Sequence, residues 1–430
     1  MKLSPFVVGV LAFCGLIAAV AVLTFSGALP GFRGEKVGSA GEVVVWGAAD
    51  FEEIKTPLND LNFVNRNQFK LSYVQKDAAL LDQELTEALA EGRGPDLVVL
   101  PQDLLRRHLN KIEPISYEVF TEQAFKQTFI PQGDLFLNDQ GVIALPWYVD
   151  PLVLYYNDQI LTSAGIPLPP RYWTDIQSPL STGILKKVTE LDERNNISQS
   201  AIALGQFNNL THAKDILSLL VMQSGDQIVT GPLGVNKVVF DRGAQAALNF
   251  FIQFSDPTKE QYTWNSALPR SIDMFTSGKL AFYLGRASDL TLIQKANPHL
   301  LFNVVKAPQI DNTVVPQTFG ELYGVAVLKA GKKKPAAVAA AIAFTGNGFA
   351  VSVDETSSLP SARRDLLGQV GADNIKNVFR QSALISRGWL DPNPVETDRI
   401  FKDMVDNLLV GRLPVSDAVL RARDQLLLLK

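Results

Sequence analysis

Apolar and polar positions alternate with two periods along this chain, and the switches between them outline its elements. Glu42 to Trp46 is a short apolar run of the buried-strand type. A helix is predicted next, with Thr56 as cap, Pro57 in the first helical position, and Leu58, Leu61 and Val64 on one face. Phe69 to Val74 alternates as a strand does. Leu81, Leu85, Ala88 and Leu89 recur at helical spacing up to Gly92, and Asp96 to Leu100 is a third strand. The order β-α-β-α-β predicts a parallel sheet with helices on both faces.

A second α/β region is predicted beyond it. Strands are expected at Ala201 to Leu204, Leu280 to Leu284, Phe302 to Lys306 and Tyr323 to Leu328. Helices are expected around Ile216 to Val221, Ala246 to Phe254 and Ala336 to Phe344, and again from Asp373 onward. Between the two regions, Val142 to Asn157 reads as two short apolar strands flanking Pro146, Trp147 and Tyr148, with Asp150 at the joint.

The first apolar run differs from all of these. Pro5 to Phe25 carries no charged side chain, enough to cross a bilayer, which takes about 20 apolar residues. Lys2 before it places the amino terminus in the cytoplasm and the rest outside. Ser26, Gly27 and Ala28 resemble a small-residue cleavage site, whereas the length of the run favours a lasting anchor; both readings stand. The expected division is an anchor or signal over 1–28, a Gly-rich linker over 29–41, and a binding domain over 42–430. Within that domain, lobe 1 is expected at 42–148 plus 306–350, and lobe 2 at 150–303 plus 351–430.

Composition narrows the chemistry. A net charge of −4 over 430 residues gives no footprint for nucleic acid. Cys14 is the only cysteine and lies in the apolar run, so the outer domain has neither a disulfide nor a cysteine nucleophile. His108, His212 and His299 have no metal-ligand spacing and read as surface or cap residues. No cofactor and no metal are expected.

In open parallel sheets, ligands bind beyond the carboxyl ends of the strands. Those positions hold Trp46 and Asp50 after the first strand, Asp103 after the third, and Gly285 and Arg286 after the strand ending at Leu284. Trp147, Tyr148 and Asp150 join them. Aromatic faces beside carboxylates suit a polyhydroxylated ligand: the ring stacks on C–H faces and the acid accepts hydroxyl protons. Arg286 hints at an acidic or phosphorylated group.

Several ordered segments resemble the extracellular solute-binding proteins of bacterial ABC importers, in the sugar-binding branch that includes maltose-binding protein. They are Val43 to Gly47, Gly94-Pro95-Asp96 with its apolar strand, Gly141 through Asp158 with Ala164 to Pro167 and Tyr172-Trp173, Phe275 through Gly285, and Leu359 to Arg363. The resemblance implies an α/β fold: a two-lobed periplasmic-binding-protein-like clamp with hinge strands, here preceded by an N-terminal transmembrane helix. It implies that Asp150 sits at the hinge-side acid position that accepts sugar hydroxyls. It implies that Asp103 matches an acid after the third strand, and that Trp389 lies on a loop that reaches the cleft. Leu100 and Ala287 stand where maltose-binding protein has aromatics, so Trp46, Trp147, Tyr148 and Trp389 would form a different platform. The partners implied are a sugar or oligosaccharide, ABC permease subunits and the membrane, with the receptor acting as a monomer. Two other readings stand beside this one. Asp50, Asp103 and Asp150 could supply the paired carboxylates of a glycoside hydrolase. The clamp could also serve sensing or structure without transport.

Overall fold

The computed structural model describes residues 41–177, 183–230 and 237–429. The apolar N-terminal run, Cys14 and the expected linker up to residue 40 lie outside them, while Gly41, its last expected residue, opens the first strand. Among the described residues, no single helix is long and apolar enough to cross a membrane.

The first region forms as its pattern requires. Strand β1 (Gly41–Gly47) pairs in parallel with β2 (Phe69–Gln75) and with β3 (Leu97–Pro101). Helix α1 (Phe51–Val64) connects β1 to β2, and α2 (Leu81–Ala90) connects β2 to β3. The start of α1 differs from expectation. Asp50 is its cap, accepting from the Glu52 N–H at 3.0 Å, and Pro57 lies inside the helix. An interior proline removes one backbone donor and strands the carbonyl four residues earlier. That carbonyl belongs to Glu53, and the Thr356 hydroxyl donates to it at 2.6 Å. The helix survives its proline because a neighbouring helix supplies the lost bond.

The stretch around Trp147 also departs from expectation. It is one strand, β4 (Leu145–Asn157), and two prolines lie within it. Further along come β5 (Ile197–Ile202), helix α3 (Ala213–Gln223), β6 (Leu280–Arg286), β7 (Phe302–Lys306), β8 (Thr318–Val327) and helix α4 (Asn347–Thr356). The strands share a ten-stranded sheet in the order β2-β1-β3-β8-β4-β6-β5, with a short edge strand after β5, β7 also on β4, and Ser386–Arg387 on β8. Strand β8 runs antiparallel to both β3 and β4. Its register slips by one residue, so that Tyr323 faces Tyr148 while Gly324 faces Pro146. Trp147 is the extra residue of this bulge. Pro146 is tolerated because the ladder is broken there.

The sheet is continuous, but its hydrophobic cores are two. One holds Val43 through Val149 together with Leu322 through Phe349. The other begins at Leu152, includes Phe319, and extends to Leu426. On β4 the boundary falls at Asp150 and Pro151, and on β8 at Gly320 and Glu321. These four residues face one another across the ladder. Gly320 is required there, since a Cβ would lie 2.8 Å from the Ser386 Cβ and 2.9 Å from Val149 Cγ2. Two lobes are thus joined by crossing strands whose midpoint belongs to neither core.

The partition differs from the expected boundaries in two places. Ala307 and Phe319 pack in the second core, and Ala362, Leu367 and Ala383 pack in the first. The second difference has a backbone cause. The Ala362 N–H donates to the Trp147 carbonyl at 2.9 Å, and the Val149 N–H to the Pro360 carbonyl at 3.1 Å. The turn at Leu359 to Arg363 is therefore stitched to the first-lobe half of β4.

Candidate functional site

A cavity of about 310 Å³ lies at this boundary. Its wall includes Asp50 and Glu53 from the start of α1, Tyr148 and Asp150 from β4, and Tyr323 from β8. Arg286, Ser288 and Thr291 lie on the second-lobe side, and Asp354 and Ser357 at the end of α4. Both lobes and both crossing strands contribute.

Tyr148 and Tyr323 are partners across the β4–β8 ladder, which stacks their rings with centroids 4.4 Å apart and planes 18° apart. Burial pushes both phenols well above their ordinary range, so both are neutral donors. The Tyr323 hydroxyl donates to Glu321 Oε2 at 2.7 Å.

Arg286 forms the floor on the second-lobe side. Its Nε and Nη2 donate to Asp215 Oδ2 at 2.8 and 2.7 Å, and Nη1 donates to Glu321 Oε2 at 2.5 Å. Burial works against its charge, but Asp215, Glu321 and Asp150 outweigh burial and hold the guanidinium fully protonated. Asp289 braces this corner from behind. Its Oδ2 accepts from the Arg286 N–H, the Tyr283 hydroxyl and His212 Nε2. Asp150 is 4% exposed and accepts from the Ser288 N–H at 3.0 Å. Burial raises its carboxyl to about 6, against the pull of Arg286 and Ser288.

The cavity thus gathers Asp50, Trp147, Tyr148, Asp150 and Arg286 from the positions read in the sequence. The others lie elsewhere. Trp147 itself is 4% exposed and packs on Phe344 and Phe349, so it backs the wall more than it faces solvent. Trp389 is in the second core, against Phe401, with its indole N–H on Ser218 Oγ at 3.2 Å. Trp46 is on β1 and covered by Lys76, whose Nζ lies 3.9 Å from the ring centroid. Gly285 is glycine for packing: a Cβ would lie 2.3 Å from the Tyr283 ring and 2.6 Å from Asp289 Oδ2. His108 is buried, paired with Asp82 at 2.7 Å, and is not a surface residue. Among the described residues, no cluster of side chains could hold a metal ion.

Asp103 has a different partner. Its carboxylate lies 3.6 Å from the ammonium of Lys214 at the start of α3, across the gap between the lobes. Lys214 also pairs with Asp391 at 2.9 Å. Burial pushes the Asp103 carboxyl up to about 8, against the pull of Lys214. Asp103→Asn is expected to loosen the lobes at pH 9, where Asp103 is ionised. Small-angle scattering of the ligand-free protein would then report a larger radius of gyration than wild type. An unchanged radius would assign the lobe–lobe contact to other groups.

The residues that sequence reading missed are Glu53, Ser288, Thr291, Asp354 and above all Tyr323. The signal for Tyr323 is its register opposite Tyr148, which depends on an antiparallel pairing between distant segments that no local pattern reveals.

A family model described as bacterial extracellular solute-binding protein matches residues 59–348. No curated protein matches this sequence. Among solved structures, a cyclo/maltodextrin-binding protein complexed with maltotetraose superposes with a TM-score of 0.73 at 17% identity, over 90% of this chain and 97% of that one. A cyclic α-maltosyl-1,6-maltose binding protein from Arthrobacter globiformis gives 0.74 at 13% identity, over 90% and 98%. The Thermus thermophilus maltotriose binding protein bound with maltotriose gives 0.63 at 16% identity, over 89% and 98%. These likenesses carry the fold, and the family match spans well over half of the sequence. With two cores, two crossing strands and a cavity between them, the chain belongs to the bacterial extracellular solute-binding proteins.

Proposed function

We propose that this protein is a non-enzymatic receptor that captures a carbohydrate between its lobes and passes it to an ABC permease. The observation that carries this reading is the cavity at the hinge, where the stacked Tyr148–Tyr323 pair stands beside the Asp150 carboxylate. Ring faces suit the apolar C–H face of a sugar, and the acid suits its hydroxyls. The neighbours whose names include maltodextrins and maltotriose support the same class of ligand.

Closure follows from where the contacts lie. Only interactions made in one state and lost in the other can shift an equilibrium between open and closed forms. Asp50 and Glu53 sit on one lobe, and Ser288 and Thr291 on the other. A ligand touching both sets favours the closed form, with β4 and β8 bending at their shared midpoint. The apolar run at Pro5 to Phe25 supports a membrane anchor that keeps the receptor beside its permease.

The test is a sugar panel titrated into the protein, read by tryptophan fluorescence and by melting temperature. Trp147 touches Tyr148 edge-on with centroids 4.9 Å apart, so a guest on the tyrosines should change its emission. A bound sugar at a hundred times its Kd would add about 2.7 kcal/mol of stability. Tyr148→Ala is expected to weaken binding by roughly three- to tenfold, the worth of an aromatic contact beyond its buried area. Equal affinity in that variant would move the binding site elsewhere.

A further inference from the structure

We propose that the cleft selects a positively charged carbohydrate, one bearing a protonated amine, over neutral and acidic ones. The inference rests on the reading of the cleft as a sugar site and specifies the chemistry of its guest.

The charges on the cavity wall are unequal. Asp50, Glu53, Asp150 and Asp354 face it, against the single cation Arg286. That cation is not free for a ligand. Three of its five N–H donors are held by Asp215 and Glu321, and the Glu321 carboxylate is itself shared with Tyr323. An acidic sugar would have to compete with two carboxylates already in place. The earlier expectation that Arg286 invites an acidic or phosphorylated group therefore does not match its geometry.

The carboxylates are in the opposite position. Asp354 has its counter-ion in Arg380 at 2.6 Å. Asp50, Glu53 and Asp150 form no ion pair among the described residues. Asp50 caps α1, and Asp150 accepts from Ser288, but neither bond brings a positive charge. Asp150 is nearly inaccessible, and the one cation that acts on it, Arg286, gives its hydrogen bonds to Asp215 and Glu321, so a buried acid with only this shared charge nearby gains from an arriving cation.

The aromatic part of the wall points the same way. Tyr148 and Tyr323 line the same cavity as these acids. A tyrosine face is negative at its centre and attracts ammonium groups within about 6 Å. An amine set on a sugar ring would meet carboxylates and ring faces together, while the hydroxyls of the ring meet Ser288, Thr291 and Ser357. A charge-assisted hydrogen bond exceeds a neutral one by enough to give about tenfold preference or more.

The same ammonium chemistry could come from an aminated sugar or from a free polyamine, and the test separates them. The full-length chain would be titrated calorimetrically with a fully deacetylated glucosamine disaccharide, its N-acetylated form, cellobiose, a glucuronate-bearing disaccharide and spermidine. The expected result is binding of the deacetylated disaccharide about tenfold or more tighter than the acetylated form and cellobiose, with the acidic disaccharide weakest. Glu53→Gln, at a half-buried position, is expected to shrink that preference, with a melting curve to show that it folds. Neutral and aminated disaccharides binding equally well would overturn the charge preference and leave the sugar reading standing. Spermidine binding without any sugar would overturn both, as would silence with every probe at millimolar concentration.

Discussion

Arg286→Ala is expected to cost about 3–5 kcal/mol of stability, the largest effect of any single change near the cleft. The arginine makes the short ion pairs with Asp215 and Glu321 and also acts on Asp150. Removing it leaves Asp215, 4% exposed, without its closest charge partner and takes away the cation that stands between three carboxylates. Arg286→Lys is expected to recover only part of the loss, because an ammonium cannot place paired donors on Asp215 and a third on Glu321. Urea denaturation measures both. In a double-mutant cycle with Asp215→Asn, the double variant should lose clearly less than the sum of the two single changes. Simple additivity would mean that the two groups do not act as a pair.

Asp150→Asn is expected to have the opposite sign for stability at neutral pH. The carboxyl titrates near 6 in the fold and near 3.8 as an ordinary aspartate. A raised carboxyl favours the protonated form in the folded state, so ionising it disfavours folding. The cost is nearly absent below the unfolded value, grows between pH 4 and 6, and is complete above 6. A difference of that size amounts to about 3 kcal/mol. Asparagine has no charge to bury and can still accept from the Ser288 N–H. Of the groups around Asp150, Arg286 opposes the shift and Glu321 enhances it, while Tyr148, Tyr155 and Tyr323 stay neutral over this range. The variant should therefore melt higher than wild type at pH 7 and by much less near pH 4, while binding an aminated ligand more weakly. Equal stability at pH 7 would mean that water reaches the carboxylate. Such a residue retains its charge for the ligand and not for the fold.

The elements of the first lobe were legible because period-2 and period-3.6 patterns are local. β1, β2, β3 and α2 lie where the apolar spacing puts them, and Gly92 ends its helix at a φ of 69°. The start of α1 was misread because Pro57 is a strong signal for a first turn. The group that lets it sit deeper, Thr356, is far away in sequence. Reading β4 as two strands had a similar origin. Pro146 and Pro151 look like breaks, and only the register against β8 shows a bulge and a crossing instead. The tryptophans misled for a general reason. A large ring at a strand end fits a core as well as a cleft, and Trp389 took the core. Asp150 and Tyr148 were read from an acid and an aromatic ring set between apolar runs, and both line the cavity. Tyr323 was not, because its role comes from its partner across the ladder. Family membership was legible from ordered segments, although each by itself is loose.

The place of β8 in the sheet bears on how the chain is made. Val98 of β3 pairs with Ala326 of β8, so the first core stays open along one edge until much later sequence has left the ribosome. Leu322 through Phe349 must arrive before that core can close. During export, a chain whose earliest strands still lack their neighbour can be threaded without first being pulled apart. The exposed edge of β3 is, for that interval, where a holding chaperone would find unpaired backbone, and where a stalled copy would stick to another.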